Sequence, residues 1–166
     1  MQEHFIHSQF TLVITWSQGL IQRTALELPG SGTANCMQTC SNPSKVLQAL
    51  SRCYIKQKKA LWLDVPLDWQ KISPFRARVL KTLFFLVPWG TTVTYSGLAA
   101  MCGSPRAARA VGTAMAGNPW PVIIPCHRVV RADEGVGGFS SGTDFKKKLL
   151  ALEDATVESQ KTGFNS

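Results

Sequence analysis

Apolar and polar residues alternate with a period of two from Phe10 to Trp16 (FTLVITW) and again from Leu20 to Leu28 (LIQRTALEL). The Ser17-Gln18-Gly19 turn between them completes a predicted β-hairpin. The Gly/Ser/Asn-rich stretch from Pro29 to Pro43 reads as a loop, Ser44–Ile55 as a helix with Val46, Leu47 and Leu50 inward, and Ala60–Val65 as a further strand. Near residue 70 the pattern changes to a helical one. Ser73-Pro74 gives an N-cap and a first-turn proline to a helix in which Phe75, Val79, Leu83 and Leu86 recur, Arg76 and Lys81 lie outside, and Pro88-Trp89-Gly90 forms the stop. Thr94 caps a second helix through Met101. The turn Gly103-Ser104-Pro105 starts a third, Arg106–Ala116, so that the pattern is helix, short turn, helix. The prolines of Gly117-Asn118-Pro119-Trp120-Pro121 force a turn; Val122–Ile124 reads as a short buried extension ended by Pro125, and Thr143–Glu153 as a last helix with Phe145, Leu149 and Leu152 inward. The expected organisation is a small α/β domain over residues 1–70, a mainly helical domain over 71–158, and a flexible tail over 159–166.

Composition narrows the class. With 166 residues, 45% hydrophobic and 17% charged, the chain can bury a core. Its longest apolar run, Leu83–Trp89, falls far short of the roughly 20 residues of a membrane span, and MQEHFIHSQF lacks a signal-peptide pattern. A soluble, unexported, cytoplasmic protein is expected, nuclear if the source is eukaryotic, with no membrane partner. Five cysteines at irregular spacing argue for reduced thiols rather than a disulfide framework. Cys36 and Cys40, with His4 and His7 imagined beside them, make a poor zinc site because no second close ligand pair appears, so no metal or cofactor is expected.

The net charge of +8 is unevenly placed. Between Trp69 and Ala132 there is no Asp or Glu, whereas Lys71, Arg76, Arg78, Lys81, Arg106, Arg109, Arg128 and Arg131 all fall there. A basic, acid-free stretch in a folded region points to a polyanion, because Lys and Arg contacts to phosphates release counterions; a solvated basic surface is the bland alternative. The helix PRAARAVGTAMA adds detail: its small residues allow close approach to another surface, and Arg106 and Arg109 can reach phosphates or enter a base stack. Tight packing against a neighbouring helix explains the small residues equally well, and the arginine pair favours the exposed reading.

The candidate chemistry lies at Cys126-His127-Arg128. A free thiol with a pKa near 8.5 is only about 3% ionised at pH 7, so a nucleophilic cysteine needs help. His127, the only histidine outside the first seven residues, together with Arg128 and Arg131, is a candidate source of it. Neighbours on a regular strand point to opposite faces, so Cys126 and His127 cooperate only if Pro125 breaks the strand or a water links them; both are expected. Glu153, four residues after Leu149, falls beside the buried face of the last helix and wants a partner such as His127, or else is a solvated helix-end charge.

Pro125-Cys126-His127-Arg128-Val129 resembles the active-site motif of the methylated-DNA–protein-cysteine methyltransferases, the O6-alkylguanine-DNA alkyltransferases. The likeness runs from about Asp64 to Glu153 and takes in DVPLDW, Tyr95, PRAARAVG, Met115, GNP and GGFS. The resemblance implies a ribonuclease-H-like sheet plus helix at the N-terminus, followed by a winged-helix-like domain with a helix-turn-helix. It implies single-turnover repair, in which an alkyl group passes irreversibly from O6-alkylguanine, with O4-alkylthymine a further candidate, to Cys126. In that family's pattern His127 acts as base through water, Glu153 orients it, Asn118 is the hinge of the active-site turn, and Tyr95 bonds the guanine. Met115, Trp120, Pro121, Val136, Gly137, Phe139 and Ser140 would shape the pocket, with the Ser140 amide at the departing oxygen. Thr94, Tyr95, Ser104, Arg106, Ala107, Ala108, Arg109 and Gly112 would meet double-stranded DNA in the minor groove, Arg109 replacing the flipped-out nucleotide, and the protein would act as a monomer. Phe139 in place of the frequent Tyr, Ser141 in place of Gly, and Trp120 in place of a smaller residue depart from the pattern.

Three other readings remain: a nonenzymatic binder of alkylated DNA, disfavoured because such proteins lack the acceptor cysteine; a helix-turn-helix regulator, which leaves Cys126 idle; and a cysteine hydrolase, which gains nothing from the basic helix.

Overall fold

The computed structural model describes residues 1–29, 44–50, 65–133 and 135–153. The expected loop over 30–43, the strand at 60–64, the second half of the 44–55 helix and the 159–166 tail lie outside them, as do Cys36, Cys40 and Cys53. Two compact units form, Met1–Gln70 and Lys71–Ser166.

The first unit is built on an antiparallel sheet in the order β1 (Gln2–His7), β2 (Phe10–Ser17), β3 (Leu20–Glu27), with the helix α1 (Lys45–Leu50) following. Gln18 and Gly19 take left-handed φ of 50° and 77° in the predicted hairpin turn, the conformation that matches strand twist in tight hairpins. β2 is the buried centre, with Phe10, Leu12 and Ile14 fully enclosed. The pattern did not reveal β1, because its inward face carries Glu3 beside Phe5 and its outward face carries Ile6. Glu3 is tolerated inside because its carboxylate accepts the Trp16 indole N–H at 2.8 Å. In α1, Val46 and Leu50 are buried and Leu47 is only half-buried.

In the second unit, α2 (Pro74–Leu86) buries Val79, Leu80 and Leu83. Leu86, expected inside, is 58% exposed, and Leu80 takes its place, because the helix ends there and Val87 turns inward. Arg76, expected outside, is half-buried. Ser73 occupies the N-cap position without a side-chain bond. β4 (Val93–Thr94) leads directly into α3 (Tyr95–Met101), whose cap is the predicted one: Thr94 Oγ1 accepts from the Gly97 amide at 3.0 Å, an interaction worth about 1 kcal/mol. α4 begins later than expected, at Ala108 rather than Arg106, since Pro105-Arg106 belongs to the preceding turn and Ala107, which offers no side-chain cap, is the N-cap. It runs to Ala116, burying Val111, Ala114 and Met115 against α3 and α2. Val122–Ile124 is buried but makes a turn rather than an extended run, with Val122 at φ 74°. Cys126–Arg128 is a 3-10 turn, β5 (Val129–Val130) pairs in parallel with β4, and α5 (Thr143–Leu152) closes the unit. Its buried residues are Lys146, Leu149 and Leu150; Phe145 and Leu152, expected inside, are half-buried. No described helix is long and apolar enough to cross a membrane.

Candidate active site

The turn after α4 is held by one side chain. Asn118 accepts the Trp120 amide on Oδ1 at 3.0 Å and donates from Nδ2 to the Ile124 carbonyl at 3.0 Å and to Cys126 Sγ at 3.1 Å. The Ile124 carbonyl also accepts the Cys126 amide at 2.8 Å across Pro125, whose φ of −80° and ψ of 60° are those of an inverse γ-turn. Pro125 thereby breaks the run, and the 3-10 turn replaces strand alternation with three consecutive residues whose side chains are all buried. The strained, β-branched Val122 lies inside the same closed loop; such backbone is retained where surrounding bonds over-determine it.

The imidazole and the carboxylate meet. His127 Nε2 lies 2.8 Å from Glu153 Oε1, both side chains fully buried. A carboxylate only accepts, so Nε2 carries the proton and Nδ1 is left as the basic lone pair; Nδ1 is buried without a partner. Arg128 completes the array by donating to Glu153 from Nε at 2.7 Å and from Nη2 at 2.9 Å, to the Val87 carbonyl from Nη1 at 2.8 Å, and by lying 5.8 Å over the Trp89 ring. Gly90, at φ 74°, brings its turn so close to the end of α5 that a side chain there would sit 3.2 Å from the Glu153 carbonyl.

These contacts fix the charges. Burial pushes the Cys126 thiol up to about 11, against the opposing pull of the Asn118 bond and the Lys146 charge. Burial lowers His127 more than Glu153 raises it, so the imidazole is neutral at pH 7. Burial also works to raise Glu153, yet His127 and Arg128 together hold its carboxyl down at about 2. The lowered imidazole and the ionised carboxylate are reconciled by Arg128, whose two-pronged donation is enough to keep Glu153 charged beside a neutral ring. The helpers expected for the thiol are thus redistributed: Arg128 is committed to Glu153, and Arg131 to Asp133 at 2.8 Å on the surface. The cation whose charge acts on Cys126 is Lys146, to which the sequence pattern gives no such role.

Cys126 opens onto a cavity of about 260 Å³ whose walls are Tyr95, Gly112, Met115 and Ala116 on one side and Gly138, Phe139 and Ser140 on the other. Of the expected pocket residues, Met115, Phe139 and Ser140 line it. Trp120 does not: it is completely buried, so its bulk fills the core of the Asn118 loop instead of the cavity. Pro121 is likewise buried, and neither it nor Val136 lines the cavity. Gly137 stands behind Tyr95, where its φ of 74° and the Tyr95 hydroxyl, 3.1 Å from the place a β-carbon would take, both demand glycine. Gly112, Ala116 and Gly138 carry no sequence signal as lining residues; of the three, only Gly112 is expected at the site, and there as a DNA contact. Burial, then the Cys126 charge, raises the Tyr95 hydroxyl, with Arg131 opposing, so it stays a proton donor.

Outside the cavity, Arg106 and Arg109 are exposed and Ala107 and Ala108 half-buried, while Gly112, also half-buried, is part of the cavity wall. Thr94 is spent on its cap and on Ser96, and Ser104 accepts from Arg78 Nη2 at 3.3 Å.

A buried thiol beside an imidazole–carboxylate pair, opening next to a helix that carries exposed Arg109 and is preceded by exposed Arg106, defines a cysteine-dependent site with a basic surface at its edge. Residues 74–155 match the family model described as 6-O-methylguanine DNA methyltransferase, DNA binding domain. The chain is 51% identical over 79 residues to the human methylated-DNA–protein-cysteine methyltransferase, covering 48% of this chain and 38% of that one, and 46% identical over 86 residues to the mouse protein, covering 52% and 41%. It thus spans about two fifths of the length of these relatives. Among solved structures, Mycobacterium tuberculosis OGT in complex with DNA superposes at a TM-score of 0.71 with 28% identity over 92% of each chain. The Pyrococcus kodakaraensis O6-methylguanine-DNA methyltransferase does so at 0.62, with 28% identity over 92% of this chain and 97% of that one. Residues 74–155 thus carry the DNA-binding domain of the 6-O-methylguanine DNA methyltransferase family.

Proposed function

We propose that the chain repairs DNA by transferring an alkyl group from the O6 atom of guanine to Cys126, once per molecule. The observation that carries this reading is the fixed array at one cavity: Cys126 Sγ held by Asn118, with the His127–Glu153–Arg128 chain behind it. A thiol near 11 does not ionise unaided at pH 7, so the proton must be taken in the reaction. A water between Sγ and the bare Nδ1 of His127 relays it, and Glu153 stabilises the imidazolium that forms. The sulfur then attacks the alkyl carbon; the S–C bond forms as the C–O6 bond breaks. The departing guanine takes a proton from the Tyr95 hydroxyl at a ring nitrogen while the Ser140 amide meets O6, so it leaves neutral, and the proton held on His127 returns through water to the Tyr95 oxygen. The product is a thioether with no simple route back to a thiol, which makes the reaction stoichiometric.

The substrate side follows the same reading. The lesion is flipped from double-stranded DNA into the cavity, α3 and α4 act as a helix-turn-helix entering the minor groove, Ala107, Ala108 and Gly112 permit close approach, and Arg109 fills the vacated stack. Thr94, Ser104 and Arg106 are the flanking contacts. Gly137 and Val136 support the Tyr95 wall, and O4-alkylthymine is a second lesion of suitable size. The protein acts as a monomer in the cytoplasm, or in the nucleus of a eukaryote, without a cofactor. The first unit is ribonuclease-H-like and the second winged-helix-like, with the functional domain over 71–158.

The test is intact mass after incubation with excess duplex carrying one O6-methylguanine, followed by peptide mapping. One methyl per chain at Cys126, absent in Cys126→Ala, is expected. Lesion-selective binding without a mass gain makes the protein a sensor rather than a transferase, and transfer that persists in Cys126→Ala overturns the assignment.

A further inference from the structure

Arg78 stands on α2, outside the two helices proposed to enter the minor groove, yet its side chain reaches the turn that joins them. Its Nη2 donates to Ser104 Oγ at 3.3 Å, and its guanidinium lies 5.5 Å from the centre of the Phe75 ring, one helical turn back on α2. Phe75 is half-buried and Arg78 exposed, so an aromatic face steadies a side chain whose charge stays in water. The turn is rigid without it. The Gly103 and Ser104 amides donate to the Ala100 and Ala99 carbonyls at 2.8 and 2.9 Å, and the Ala107 amide to the Ser104 carbonyl at 2.9 Å. A single neutral hydroxyl occupies one of the five guanidinium N–H groups and leaves the rest of the fork open. Among the described residues no carboxylate pairs with Arg78, Arg106 or Arg109, and the sequence supplies none between Trp69 and Ala132. Arg106 follows Ser104 by two residues and is exposed as well. Two guanidinium groups brought to one rigid turn, with no acid to neutralise them, repel each other and are balanced by a polyanion that lies across both.

We propose that Arg78 binds a phosphodiester group of duplex DNA beside the Ser104 turn, so that the DNA surface extends from the α3–α4 pair onto α2. The inference rests on the reading that α3 and α4 face duplex DNA, and adds to it a contact that carries no base information but fixes the register of the turn on the backbone. The Phe75 ring and the Ser104 hydroxyl hold the guanidinium in place before DNA arrives, which reduces the side-chain freedom lost on binding. The open part of the fork suits two oxygens of one phosphate. A mere tie for the turn acts through its hydrogen bond to Ser104 and leaves the salt dependence of DNA binding unchanged; a phosphate contact acts through its charge and releases counterions.

Fluorescence anisotropy of the full chain with a labelled, undamaged duplex, titrated between about 50 and 200 mM KCl, separates the two without the transfer reaction entering. Arg78→Gln keeps a donor for Ser104 but removes the charge. It should lower the slope of log K against log salt by about 0.9, so that wild type loses roughly 3.5-fold more affinity than the variant across that range. Arg78→Glu should lower the slope at least as much, and decides the matter if the thermal melt shows the Gln variant to be unfolded. Lys148→Gln is the control: it removes the same charge from an exposed lysine on α5 that also lies over a phenylalanine, Phe145, at 5.8 Å, and should keep the wild-type slope. A wild-type slope in a folded Arg78 variant overturns the proposal and leaves Arg78 as a tie for the turn. An equal fall in Lys148→Gln overturns it too, because net charge rather than a site would then be at work. Both results leave the DNA reading standing, whereas a wild-type chain that binds no duplex removes that reading and the Arg78 contact with it.

Discussion

The buried fork between Arg128 and Glu153 is the feature of the site whose energetics can be worked furthest. Both side chains are enclosed, the carboxylate accepts two guanidinium bonds at 2.7 and 2.9 Å, and His127 adds a third at 2.8 Å. Removing Arg128 as Arg128→Met leaves an ionised carboxylate in the interior without its two guanidinium bonds, bonded by neutral donors such as the His127 ring N–H and the Gly90 amide, a loss of about 3–5 kcal/mol. Glu153→Leu strands the guanidinium against the Val87 carbonyl and Trp89 face at similar cost. The double variant removes both charges and leaves chiefly the His127 N–H without an acceptor, about 1–3 kcal/mol. The two single losses therefore exceed the double loss by several kcal/mol. Urea unfolding at pH 7 with linear extrapolation measures all four proteins. Additivity within about 0.5 kcal/mol refutes the argument, because it would mean the two charges do not depend on each other. The same pair predicts a pH signature. Glu153 is held at about 2 against an ordinary value of 4.5, so its contribution is fully present above about 4.5 and is lost as pH falls toward 2. The stability gap between wild type and Glu153→Gln should accordingly shrink across that interval and stay constant above it.

Other consequences can be measured as directly. Gly137→Ala places a methyl group about 3.1 Å from the Tyr95 hydroxyl at φ 74°; a loss of about 1–2 kcal/mol in unfolding free energy with slower alkyl transfer is expected, and unchanged behaviour in both would show that the loop yields freely. Because burial lowers His127 below its usual 6.5, the ring is a free base throughout the neutral range; the single-turnover transfer rate should be level near pH 7 and fall only on acidification below that usual value. A decline already beginning above pH 7 would contradict a neutral imidazole. Arg109, exposed on α4, should when changed to Ala slow repair of duplex DNA at least tenfold more than reaction with free O6-alkylguanine base, measured as paired single-turnover rates; equal losses would remove it from the flipping step.

Much of the site was legible because its chemistry is local. Cys126-His127 beside a proline and a carboxylate at the end of an amphipathic helix each signal their constraint within a few residues, and the helical periods of α2 and α3 follow from Val79, Leu83 and the Thr94 cap; the place of Asn118 comes from the family resemblance, the local pattern giving only the turn that the prolines force. What failed to show were positions where a polar side chain occupies an apolar place. β1 was hidden by Glu3, which is satisfied only by Trp16, and the inward face of α5 was misjudged because Lys146 reads as solvent-facing on any hydrophobicity pattern. Trp120 misled in the opposite sense: the family resemblance implies a pocket wall there, whereas the side chain is completely buried and does not line the cavity.

The sequence by itself therefore determined the β2–β3 hairpin, the helices of the second unit and which residue types are reactive, since caps, turns and periodicity act over three or four residues of chain. Only the tertiary structure decided the partners. That Arg128 serves Glu153 rather than the thiol, that His127 presents a bare Nδ1, and that Lys146 supplies the charge acting on Cys126 all depend on residues 8 to 41 positions apart meeting in a space without water. There a buried charge or polar atom must find a partner, and which one it finds is set by packing, not by spacing along the chain.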